Sequence, residues 1–427
     1  LIRHAAIPAY FAVRVVSALV LLKLSTQFLT VQGFANFAQF LAFSSLLNMA
    51  VVGGAQNGLI REAAAANSDE LPDVHGAGLA VWASAAPLVG IPIALLSPEI
   101  SSILTGSSGY WQAVIGLALL SLAAGPGQVC WSVLSGRMRV VQSLGAQSVG
   151  ILTGTAIASW FIVRGSFVTA ALAFSAGPLV GMVVAFPFAA GLRLSWRPIW
   201  SGVRPLLGYS AAMASTLGFS ALVLFALRWV YRGHFGATQL GYWLAANRIS
   251  DMSTQFLGLF MLQAFVPHLA MVRDQRERSA LILRYGLIGA GLTGSALLVF
   301  LVAARPLVHL FLSDSYVPAI PAIRLYMVGD FLRVWGSLAM FTAFASGKPR
   351  RYAAIEIATM ALMAALTLLL ITNGEVRAPQ LAYAAAWALT AVVCGVALVF
   401  RHLRHRARSR PRGERRISLP GSAPHAL

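Results

Sequence analysis

The chain has 427 residues, 58% of them hydrophobic and only 11% charged, with a mean hydropathy of +0.75. Soluble domains carry about 25% charged residues, so a water-soluble fold is excluded and the chain reads as an all-α polytopic membrane protein. The net charge of +19 raises nucleic acid as a partner, a reading that the placement of the charge then removes.

Apolar runs of roughly 20 residues, the length that crosses a bilayer, place twelve spans in chain order. They are 7–26, 33–58, 77–96, 109–134, 145–163, 167–190, 206–230, 240–266, 285–304, 319–345, 352–371 and 379–400. The first run is long and lacks a small-residue cleavage site, so no cleavable signal peptide is expected. Alternate loops, together with the N-terminus and the tail from Arg401, hold 22 of the 32 Lys and Arg residues. The opposite loops hold only Arg164, Arg232, Arg305 and Arg377. Cytoplasmic loops carry such an excess, which puts both termini in the cytoplasm and makes the basic charge a matter of topology. No nucleic-acid partner is expected.

Internal repeats divide the spans. Ser17-Ala18-Leu19-Val20-Leu21 recurs as Ser220-Ala221-Leu222-Val223-Leu224, and Ser135-Gly136-Arg137-Met138-Arg139 corresponds to Ser346-Gly347-Lys348-Pro349-Arg350. Two halves with an even number of crossings form parallel repeats, and ligands bind between such halves. The expected architecture is a six-helix lobe over 1–190, a cytoplasmic linker over 191–205, a second six-helix lobe over 206–400 and a basic cytoplasmic tail over 401–427. A central cavity lies between the lobes.

The remaining basic residues fall inside spans: Arg14, Lys23, Arg228, Arg248, Arg324 and Arg333. A charge at mid-bilayer costs about 2.5–3.5 kcal/mol, so it faces protein or a water-filled cavity. Lys23, Arg228 and Arg324 lie near the outer ends of their spans, where long side chains snorkel to water. Arg14, Arg248 and Arg333 lie deeper. Arg248 and Asp251 are three residues apart on one helix face with Gln255 one turn on, and Asp330 and Arg333 repeat that spacing. Each pair either neutralises itself or serves a ligand. The N-terminal spans hold no acid; Asp251, Asp330 and, nearer the cytoplasmic surface, Glu356 are the membrane-embedded carboxylates. A cavity lined by these spans is net basic and suits an anion, with phosphate matching the planar donor fork of arginine. Asn36, Gln39, Asn48, Gln56 and Asn57 of span 2 either line it or join helices by hydrogen bonds.

No enzyme motif is present: no GxxxxGK[ST], no HExxH, and no paired carboxylates beside a nucleophile. Eight histidines form no ligand-spaced cluster, and Cys130 and Cys394 are too separated to make a metal site, so neither a cofactor nor a metal is expected.

LVLLKL (19–24), GGAQNGLIRE (53–62), ISDMSTQFL (249–257), VGDFLRVWG (328–336) and the spacing of Tyr352 and Glu356 in RYAAIEIA resemble O-antigen and enterobacterial-common-antigen lipid flippases. These belong to the multidrug/oligosaccharidyl-lipid/polysaccharide exporter superfamily. The resemblance implies translocation of an undecaprenyl-diphosphate-linked glycan to the periplasmic leaflet of a bacterial inner membrane. It also implies as partners a polysaccharide polymerase and glycosyltransferases. By it, Arg14, Lys23 and Arg333 contact substrate, and Asp251, Asp330 and Glu356 position charge or couple transport. Arg248 joins the substrate set by its depth rather than by resemblance. A cation-coupled multidrug exporter of the same superfamily and a non-transporting scaffold are the competing readings.

Overall fold

The computed structural model describes residues 2–408 except 54, 193, 205, 208–217, 262–264, 273 and 347. The regular elements among the described residues are all helices, in two lobes. The first lobe comprises α1 (Ile2–Phe28), α2 (Val31–Asn48), α3 (Gln56–Ala65), α4 (Leu71–Leu95), α5 (Ser97–Thr105), α6 (Trp111–Gly136), α7 (Val140–Val163) and α8 (Phe167–Ala190). Thr30 caps α2 by accepting the Gly33 amide, and α5 ends on Gly106 in the left-handed conformation that glycine tolerates. The expected second span divides: α2 stops at Asn48, and a π-helical turn over Met49–Gly53 leads into α3. The loop expected over 61–76 is shorter, because the alanine run to Ala65 favours helix. Within the lobe α7 and α8 pack closely, Gly150 and Gly154 facing Gly177 and Gly181. A Cβ on Gly150 would lie 2.5 Å from the Gly177 carbonyl oxygen, so only glycine permits this approach.

The second lobe comprises α9 (Phe219–Phe260), α10 (Val266–Met271), α11 (Gln275–Val302), α12 (Ala304–Phe311), α13 (Ile320–Ala345), α14 (Pro349–Thr372) and α15 (Ala378–Arg408). The seventh and eighth spans are the two limbs of α9. Gly236, at φ 81° and ψ 172°, is the one non-helical residue between them. The limbs fold back on each other, with the Tyr231 ring 4.9 Å from that of Trp243. Part of the expected seventh span, 208–217, lies outside the described residues. Among the described residues, nine helices are long and apolar enough to cross a membrane by themselves. The limbs of α9 and the charge-bearing α13 complete the twelve.

The linker lies along the start of α4: the Ile199 amide donates to the Gly76 carbonyl at 2.9 Å, and the His75 ring meets the Ser195 carbonyl at 2.6 Å.

The lobes meet where α2 packs on α9. A Cβ on Gly241 would lie 2.6 Å from the Val31 carbonyl oxygen, and Leu22, Phe34 and Ala38 share one buried cluster with Leu244, Tyr316 and Tyr326. At this end Lys23 Nζ donates to the His309 and Leu312 carbonyls, each at 2.6 Å. From the other lobe, Arg232 donates through Nη1 to the Leu104 carbonyl at 2.7 Å and to Asn36 Oδ1 at 3.1 Å, and through Nη2 to the Thr105 carbonyl. The two cations thus cap the C-terminal ends of α12 and α5, where carbonyls lack helical partners and the helix dipole is negative. Ser313 Oγ adds a bond to the Thr26 carbonyl at 2.6 Å. Among the described residues, every hydrogen bond between the lobes lies at this end.

Candidate functional site: an arginine-lined cavity between the lobes

Beyond that contact the lobes part around a cavity of about 230 Å³. Its walls are α1, α2, α7 and α8 on one side and the second limb of α9 on the other. Arg14 enters from α1 and Arg248 from α9, beside Ser17, Phe37 and Ser45. Arg248, Met252 and Gln255 recur at i, i+4 and i+7, which places them on one helix face. Asp251 does not lie on that lining face. Two guanidinium groups, one from each lobe, therefore share a space with no carboxylate among its described lining residues.

A second cavity, of about 460 Å³, continues from the first into the N-terminal lobe. Arg14, Leu41, Ser45, Ile151 and Phe174 line both. The inner one carries amides from four helices: Asn48, Gln56, Gln128 and Gln147. Gln128 donates to Asn48 Oδ1 at 2.9 Å and accepts from Gln56 at 3.2 Å. Tyr10 donates to Gln147 at 3.2 Å. Asn48 and Gln56 therefore line the cavity and join helices at once. Asn36 is taken up by Arg232, Gln39 is fully buried, and the Asn57 side chain lies outside the description.

Behind Arg248 the second lobe holds a network of Arg228, Arg248 and Arg333 with Asp251, Asp330 and Glu356. Asp251 accepts from Asn247 at 2.9 Å and lies in the field of Arg248, Arg228 and Arg333. Asp330, 1% exposed, accepts on Oδ1 from Ser250 and from Tyr383, each at 2.8 Å. Arg333 donates to that Tyr383 hydroxyl at 3.3 Å, and its guanidinium lies 4.9 Å from the Trp387 ring centroid. Tyr352 and Glu356 stand one turn apart on α14.

Of the two alternatives left open by the three-residue spacings, the self-neutralising one finds no direct ion pair among the described residues. Among the described residues, ion-pair contacts are confined to His309–Asp314 and Arg377–Glu375, both outside the spans. Asp330 and Arg333 are joined instead through a tyrosine of α15, because Arg333 turns onto the aromatic face of that helix. The snorkelling expected of Arg228 is also overturned: its Nε is buried, and its neighbours are Arg248 and Asp251. The first limb of α9 runs on to Gly236, which leaves Arg228 about 10 Å inside rather than at the boundary. Arg324 does reach the end of its lobe, donating to the Leu301 carbonyl at 2.9 Å. Lys23 is not among the cavity-lining residues; it caps α12. Sequence reasoning missed Arg232, which sits in α9 rather than in a loop. It also missed Tyr10, Gln128, Trp131, Gln147 and Tyr383, although a polar side chain within an apolar span was the signal for each of the two glutamines.

The sequence pattern of the polysaccharide biosynthesis protein family matches residues 24–321. No curated protein matches the sequence. Among solved structures, the chain is similar to an inward-facing multidrug resistance transporter of the MATE family in the MOP superfamily. The identity is 14% and the TM-score 0.69, over 92% of this chain and 96% of that one. It is similar to the lipid II flippase MurJ in an inward closed conformation at 10% identity and a TM-score of 0.73, over 93% of this chain and 87% of that one. An outward-facing MATE transporter of the MOP superfamily gives 13% identity and a TM-score of 0.57, over 95% and 96%. These likenesses are of fold. Matched by its pattern along well over half of its length, the chain belongs to the polysaccharide biosynthesis protein family.

Proposed function

We propose that the protein moves an undecaprenyl-diphosphate-linked oligosaccharide from the cytoplasmic to the periplasmic leaflet by alternating access of its two lobes. One observation carries this reading: Arg14 and Arg248, contributed by opposite lobes, face one cavity whose described lining includes no carboxylate. A diphosphate presents oxygens to both guanidinium forks at once and relieves the repulsion between them. Its charge makes unaided passage through hydrocarbon prohibitive, which is the barrier a basic interior removes. The loop-charge asymmetry supports a periplasmic position for the end that carries α5 and α12. The lobes are joined at that end, which makes this the loading state. The TM-score of 0.69 to an inward-facing relative in fold, against 0.57 to an outward-facing one, supports that assignment.

A cation-coupled multidrug exporter is the second reading, and it needs a carboxylate facing the cavity. Asp251, Asp330 and Glu356 lie within the second-lobe network instead, where they hold the arginines in position. The test is Arg14→Gln and Arg248→Gln, each at normal membrane level, in cells that depend on this protein. Accumulation of the lipid-linked intermediate with loss of surface glycan is expected of both. Normal glycan in both, with lost export of a lipophilic cation, overturns the reading.

A further inference from the structure

We infer that the amide-lined cavity of the N-terminal lobe is a sugar subsite, which takes the first uncharged saccharide of the cargo while Arg14 takes the adjoining phosphate. The inference rests on the flippase reading and assigns a residue set to the glycan. Four amides, the Tyr10 hydroxyl and the Trp131 ring converge there from five helices, and Arg14 at its junction with the central cavity is its one charged lining residue among those described. Uncharged donors and acceptors of this kind match sugar hydroxyls and acetamido groups, each amide presenting two donors and one acceptor. At about 460 Å³ the cavity is within the range of ligand pockets.

The amides are not used up by their contacts with one another. Gln128 spends one donor on Asn48 and its oxygen on Gln56; Gln147 spends its oxygen on Tyr10 and one donor on Ser143. Each retains a donor beside the cavity. Amides that serve only to glue helices together face one another across a dry seam; these border a space. Arg14 belongs to both cavities, so a phosphate on it leaves the next group of the cargo at the mouth of the inner one.

The experiment measures binding to the purified full-length protein in nanodiscs. The probes are undecaprenyl diphosphate without sugar and the same lipid bearing a single N-acetylglucosamine or a single galactose. The proteins are wild type, Gln128→Leu, Gln147→Leu and Arg14→Gln, each checked for helix content. Wild type is expected to bind at least one sugar-bearing probe more tightly than the bare lipid. Either glutamine variant loses about tenfold in affinity for that probe and nothing for the bare lipid. Arg14→Gln weakens both. Equal binding of bare and sugar-bearing lipid by wild type overturns the subsite and leaves the flippase reading standing. So does equal weakening of both probes by the glutamine variants. Wild type that binds no probe overturns the flippase reading and the subsite with it. The two variants lie on different helices, so misfolding of one leaves the other to decide.

Discussion

Lys23 and Arg232 hold the two lobes together by the same device used twice in opposite directions. Lys23, in the first span, caps the short helix that follows the ninth; Arg232, in the seventh, caps the short helix that follows the third. The pairing follows the internal repeat, because α5 and α12 hold equivalent places in their lobes. Replacing both residues by methionine keeps the aliphatic stems and removes the donors. At this partly exposed end the whole set of bonds made by each cation contributes about 0.5–1 kcal/mol net, so the double variant shifts the balance of open and closed states about fivefold to thirtyfold towards opening at this end. Accessibility of an introduced cysteine at Ser17, read with a soluble maleimide from the α5 side, is expected to rise. Unchanged labelling would remove the latch role.

Arg14→Gln is expected to abolish transport, whereas Arg324→Gln leaves it within about twofold. Arg14 faces both cavities, while Arg324 only caps the end of α11. The lipid-linked intermediate in cells carrying each variant ranks them. Equal accumulation contradicts the assignment.

Asp330→Asn separates charge from hydrogen bonding. The asparagine oxygen still accepts from Ser250 and Tyr383, so the protein is expected at normal membrane level with partial loss of transport. Asp330→Leu with Arg333→Leu removes both charges but strands two buried hydroxyls, at about 1–3 kcal/mol each. Its membrane level therefore falls, where a self-contained ion pair would have tolerated the change. Immunoblots of membrane fractions beside surface-glycan assays check both. Wild-type levels and glycan in the double variant would make the pair dispensable.

Gly150→Ala is expected to destabilise the N-terminal lobe by about 1–3 kcal/mol through overpacking on α8. Gly145→Ala, on the same helix with open space at its Cβ, is expected to be neutral or better. Thermal unfolding of the solubilised proteins distinguishes them; equal midpoints would contradict the close approach.

A cysteine at Ser107, exposed in the turn after α5, is expected to react with an impermeant maleimide in whole cells, and one at Ser409 is not. The opposite pattern reverses the topology.

The spans were legible because burial in lipid imposes continuous hydropathy, which a sequence displays directly. The parallel lobes were legible from two short repeats. Arg14 and Arg248 were legible because deep charge in an apolar run is costly and so has a reason. Side-chain direction was not legible. Arg248 and Asp251 share a helix face by spacing, yet one faces the cavity and the other the network behind it. The bridge from Asp330 to Arg333 passes through Tyr383, which is 53 and 50 positions away from them and is brought there by the packing of α15, and no local pattern records it. Arg228 and Lys23 occupy similar depths by count, but the extension of α9 buries the first, and contact with the opposite lobe occupies the second.

The single-residue turn at Gly236 has a mechanical consequence. Arg232 and Arg228 stand on one arm of α9 and Arg248 on the other, with the arms pressed together by Tyr231 and Trp243. A loop between them would absorb movement; an elbow of one residue transmits it. On the proposed alternating-access reading, release of Arg232 from α5 would tilt the arm that carries Arg248, and the grip on an anion would loosen as the far side opens. Unloading and opening would then be one stroke of the same lever, and lengthening the elbow by a few glycines would let one proceed without the other.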